Sequence, residues 1–87
     1  MTIEEDFEKA VSDVRNSVTT PTNEVALSLY GLFKLVKFGK NNSPKPSIFN
    51  FTGLAKWKAW TESSALTKEE AMVKYIDLVQ KYLNDEI

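Results

Sequence analysis

Residues 54–60 read LAKWKAW, with two tryptophans three positions apart and lysines interleaved. Wound as a helix, this stretch puts Lys56, Trp57 and Trp60 on one side and swings Lys58 to the other. A second set lies upstream, where Tyr30 and Lys34 are four apart and their tips meet on one helical face. Tyr75 supplies a further phenol near the end of the chain. Phenols that donate to phosphate oxygen beside ammonium groups make a reasonable phosphate pocket. An adjacent aromatic face can stack a flat base. The types therefore suit a phosphorylated, partly aromatic ligand, while the bland reading keeps the indoles as core with a snorkelling lysine.

Other chemistries are poorly supplied. The 87 residues contain no histidine and no cysteine. The commonest metal ligand, the thiolate nucleophile and disulfides are therefore missing, and neither a catalytic role nor a metal site is expected. Adjacent carboxylates occur as Glu69-Glu70 and Asp85-Glu86, but neighbours on a helix diverge, so both pairs read as solvated. Three scattered glycines form no phosphate loop. A pI of about 5.4 and the lack of a DNA-reading motif argue against nucleic acid. The acidic start MTIEEDFEK and the absence of a long apolar run predict neither leader nor membrane span, making the cytoplasm the expected compartment.

The net charge of −1 conceals an asymmetry. Between Val25 and Thr61 there is no acid, yet Lys34, Lys37, Lys40, Lys45, Lys56 and Lys58 all fall there. The remainder carries all twelve acids against five basic residues. A basic middle inside a nearly neutral chain suggests an anionic ligand.

These residues must be positioned by helices, because four segments show apolar positions at i, i+3, i+4 and i+7 and none alternates like a strand. Thr2 with Glu5 spells a capping box, followed by Phe7, Ala10, Val11, Val14 and Val18 on one face. Pro21 stops that helix, and Thr22 is the expected N-cap of a second over about 23–38. This second helix is apolar on two sides. Val25, Leu29, Leu32, Phe33 and Val36 make a core stripe, and Leu27, Tyr30, Lys34 and Phe38 make another opposite it. One chain of this size has too little material to bury both, so the surplus face reads as a groove. A long Pro- and Asn-bearing loop, GKNNSPKPSIFN, leads to a third helix from about Phe51 to Ser63. Thr67 and Glu70 spell a second capping box ahead of Met72, Tyr75, Ile76, Val79 and Leu83. The expected fold is all-α, a four-helix bundle over residues 1–87 as a single domain.

LYGLFKLVKFG, FNFTGLAKWKAW and LTKEEAMVKYI, in this order and spacing, resemble the acyl-CoA-binding protein family over essentially the whole chain. The resemblance implies an up-down-down-up bundle. It also implies a non-catalytic monomer that binds medium- and long-chain acyl-CoA esters and carries them within the cell to acyl-using enzymes. No cofactor or stable membrane insertion is implied. By position, Tyr30 and Lys34 would contact the nucleotide phosphates and Lys56 the ribose 3′-phosphate, with Tyr75 closing the same corner. Arg15 stands where the family usually has lysine, Gly31, Leu32 and Phe33 complete the motif, and Ala26 and Leu27 match positions near the acyl chain. Departures are also evident. Phe33 replaces a tyrosine, Thr52 and Leu54 replace two lysines, and Lys37 and Lys40 are added charges expected to compensate at the headgroup. On this reading the indoles of Trp57 and Trp60 pack the third helix against its neighbours, and Lys58 stays solvated. Two rival readings use the same features: a helical protein-interaction module and an anionic-lipid-binding domain.

Overall fold

The computed structural model describes residues 1–84; Asp85 and Glu86 therefore lie outside the described residues. Helices α1 (Ile3–Arg15), α2 (Asn23–Phe38), α3 (Phe51–Ser63) and α4 (Lys68–Leu83) account for the secondary structure, with no strand among the described residues.

Each helix starts where a side chain satisfies an orphan amide. In α1 the Glu5 amide donates to Thr2 Oγ1 at 3.2 Å and the Thr2 amide donates to the Glu5 carboxylate at 2.9 Å. Thr67 and Glu70 repeat this reciprocal pair at α4, at 3.1 and 2.8 Å. Thr22 caps α2, and Asn50, unforeseen from the pattern, caps α3 by accepting from the Gly53 amide at 3.0 Å. Helix α2 ends at Gly39, whose φ of 82° suits a residue without Cβ.

The helices run up-down-down-up. Because α2 and α3 run the same way, the chain must return along their length between them, which is what the loop over 39–50 does. The core lies where α4 meets both α1 and α2: Phe7, Met72 and Val79 are fully enclosed, with Ala10, Val11, Leu29, Leu32, Leu35, Ala71 and Tyr75 around them. The rings of Phe7 and Tyr75 meet at 4.9 Å between centroids, tilted by 60°. Four positions differ from the apolar stripes. Val18 is fully exposed because α1 has already ended at Arg15. Leu83 sits at the rim, about half exposed, and Leu35 and Ala71 join the core instead. The apolar arc of α2 is wider than one stripe because α3 and α4 both pack on it.

Helix α3 has no buried residue and holds to α2 by close backbone approach. A Cβ built on Gly31 would stand 2.4 Å from the Ala59 carbonyl oxygen, so only glycine permits this separation. At the other end of the bundle the Tyr82 hydroxyl donates to the Thr19 carbonyl at 2.7 Å, tying α4 to the α1–α2 connection.

Candidate functional site

Tyr30 stands at the centre of the site. It lines a cavity of about 240 Å³ with Val11, Val14, Arg15, Pro21, Ala26, Leu29, Phe33 and Tyr75. It also lines a neighbouring groove of about 430 Å³ with Asn23, Ala26, Leu27, Phe51, Thr52, Ala55 and Lys56. Ala26 and Tyr30 belong to both, so the two hollows share a wall on α2. The first lies against α1 and α4 and ends in phenols and a guanidinium; the second lies against α3 and is mostly apolar.

Two ammonium groups flank the Tyr30 ring. Lys34 Nζ, one turn along α2, lies 5.9 Å from its centroid, and Lys56 Nζ, from α3, lies 5.4 Å away. Lys34 is further held 4.2 Å from the Phe38 ring and 4.6 Å from that of Trp60. Aromatic faces attract a cation through their quadrupole without neutralising it. The ion pairs among the described residues join Lys9 to Asp13, Lys37 to Glu8 and Lys81 to Asp77, leaving Lys34, Lys56 and Arg15 with no carboxylate within 4 Å. The site therefore carries cations that form no ion pair among the described residues.

Tyr75 is 4% exposed. Burial pushes its phenol above the usual tyrosine range; Arg15 nearby works the other way, and Glu8 adds to the rise. At neutral pH the group is a neutral donor. No fully buried side-chain polar atom among the described residues lacks a partner, so the Tyr75 hydroxyl, which makes no hydrogen bond there, opens onto the cavity it lines.

The structure brings together Arg15, Tyr30, Phe33 and Tyr75 in one hollow and Ala26, Leu27, Tyr30 and Lys56 in the other; Lys34 lines neither and approaches them only through the Tyr30 ring, 5.9 Å from its centroid. Gly31 and Leu32 are not with them. Gly31 lies under α3, and Leu32 is buried and borders a separate groove between α2, α3 and α4, which meets the second hollow only at Leu27 and Ala55. Lys37 is bound to Glu8 of α1 at 2.7 Å, although its Nζ also lies 5.9 Å from the Phe33 ring. Lys40 is exposed beyond the end of α2. Neither lines the two hollows.

The tryptophan N–H groups also hold the long loop. Trp60 Nε1 donates to the Gly39 carbonyl at 2.8 Å and Trp57 Nε1 to that of Ser43 at 3.0 Å. The side chain of Asn41 completes the anchorage by donating to the Trp57 carbonyl and to Thr61 Oγ1. The indoles thus fasten the long loop along α3. Lining residues not anticipated are Pro21, Asn23, Phe51, Thr52 and Ala55. For α3 a signal existed: Phe51–Ala55 and Thr52–Lys56 are i, i+4 pairs on the side that carries Lys56.

Comparison with known proteins gives the class. The family model described as "Acyl CoA binding protein" matches residues 4–79. Acyl-CoA-binding protein homolog 1 of Caenorhabditis elegans is 39% identical over 77 residues, covering 88% of this chain and 90% of that protein. The crystal structure of Oryza sativa Acyl-CoA-Binding Protein 2 superimposes with a TM-score of 0.89 at 35% identity, covering 98% of this chain and 94% of the other. The chain belongs to the acyl-CoA-binding protein family. A relative from Danio rerio, Acyl-CoA-binding domain-containing protein 6, is 43% identical over 77 residues; the match covers 88% of this chain but only 26% of that protein.

Proposed function

We propose that the protein binds long-chain acyl-CoA esters without turning them over, and sequesters and carries them as a cytoplasmic monomer that meets acyl-using enzymes transiently. The observation that carries this reading is Tyr30, set between two ammonium groups that lack carboxylate partners, on a wall shared by a polar-ended cavity and an apolar groove. A ligand with a phosphorylated head and an apolar tail fits both halves. In this arrangement Tyr30 and Lys34 hold the nucleotide phosphates, Lys56 the 3′-phosphate, and Arg15 and Tyr75 the remaining polar edge. Phe33 offers a stacking face to the adenine. The acyl chain lies along Ala26 and Leu27, and each buried methylene contributes about 0.8 kcal/mol. Lys37 reaches the headgroup by releasing Glu8. Recognition needs no cofactor and no group that changes protonation at neutral pH.

Titration calorimetry with palmitoyl-CoA, free CoA and free palmitate tests the reading. Tight binding of the ester, with each fragment far weaker, is the expected result. Equal affinity for ester and palmitate, or no heat with the ester, overturns it.

A further inference from the structure

Beside the groove, the chain displays apolar side chains that the fold does not use. Ile48, Phe49 and Phe51 are 65%, 83% and 78% exposed. Ile48 and Phe49 occupy the tip of a turn closed by the Asn50 amide donating to the Ser47 carbonyl at 3.0 Å. Such tips ordinarily carry Gly, Pro, Asn, Asp or Ser, because nothing covers them. The turn is also held in place. Ser47 Oγ accepts from the Phe49 amide, Asn50 caps α3, and the preceding loop hangs from the two indole N–H groups. Three large apolar groups are thus fixed outward, where folding alone gives no reason for them.

Their surroundings indicate what covers them. The turn lies inside the stretch from Val25 to Thr61 that contains six lysines and no acid. Lys45 precedes it on the loop, with Nζ 5.9 Å from the Trp57 ring, and Phe51 shares the groove wall with Lys56. A stable protein interface needs roughly 1,000 Å² of matched surface, far more than three side chains on a protruding turn. A lipid headgroup layer needs only apolar groups that enter it and cations that meet its anionic phosphates. We propose that the Ser47–Asn50 turn, with Phe51 and the lysines around it, docks the protein onto anionic phospholipid surfaces. Docking there sets the mouth of the groove lined by Leu27, Phe51 and Thr52 against the lipid, so that, on the function proposed above, an acyl chain passes between bilayer and groove with little exposure to water.

The test uses ligand-free protein and two kinds of vesicle, phosphatidylcholine alone and phosphatidylcholine mixed with phosphatidylserine, in co-sedimentation at low salt. The protein is expected to pellet with the mixed vesicles only. Ile48→Ser combined with Phe49→Ser should weaken this by roughly tenfold or more, and Lys45→Gln should weaken it by a smaller factor. The thermal midpoint and palmitoyl-CoA affinity of the double variant should match the parent's. No pelleting with mixed vesicles overturns docking on lipid, including the case in which the turn meets a protein instead. Pelleting that the double variant leaves unchanged overturns the role of the turn. Because no acyl-CoA is present, neither result depends on the calorimetric outcome.

Discussion

Phe33 supplies a ring to the cavity but no hydroxyl, where the family pattern carries tyrosine. A hydrogen bond to a charged group contributes about 1.5–3 kcal/mol, so Phe33→Tyr is expected to tighten acyl-CoA binding by roughly 10- to 150-fold. Calorimetry reads this directly, and an unchanged affinity would remove the headgroup from this end of the site. Tyr75 makes a different prediction. Its folded-state pKa is raised by burial, so its contribution to stability is complete below the unfolded value near 10 and disappears as pH climbs through and above it. Unfolding followed from neutral to strongly alkaline pH should show stability falling across that window. Tyr75→Phe should flatten that limb while leaving acid-side behaviour alone.

Among the elements, the contact between α2 and α3 depends on a single missing atom. With the Ala59 carbonyl 2.4 Å from where a Gly31 Cβ would sit, Gly31→Ala must push the helices apart. Overpacking of this kind costs about 1–3 kcal/mol, and each kcal/mol lowers the midpoint of a domain this size by roughly 4–8 °C; a thermal melt checks it. The helix starts at Thr2, Thr22 and Thr67 and the stripes through Phe7 and Val79 could be read beforehand, because caps and periodicity are local. The two capping glutamates, Glu5 and Glu70, are held below the usual carboxylate range chiefly by the threonine amides, as such local pairing requires. Of the site, Tyr30, Lys34, Lys56 and Tyr75 were legible as types at spacings, and their convergence followed from the family pattern. Pro21 and Phe51 as walls, Gly31 as a packing contact, and the indoles as anchors for the loop were not. Each depends on which distant segment lies opposite, and an isolated helix pattern contains no such information.

At the scale of the whole molecule, six lysines without a compensating acid in one continuous stretch predict, on the function proposed above, that ligand association depends on ionic strength. Screening lengths of about 10 Å at 0.1 M salt are comparable to the site itself. Affinity for palmitoyl-CoA is expected to fall as salt rises, and Lys34→Gln with Lys56→Gln should flatten that dependence as well as weaken binding. Titrations across a salt series measure both. The place of Lys34 in the unliganded protein has a further, optical consequence. Its ammonium rests 4.6 Å from the Trp60 ring, close enough to bias the charge redistribution of an excited indole. When a phosphate draws Lys34 away, the emission of Trp60 should change in colour or yield, while Trp57 serves as the internal reference. On the function proposed above, this change would report headgroup occupancy, and Trp60→Phe should silence it.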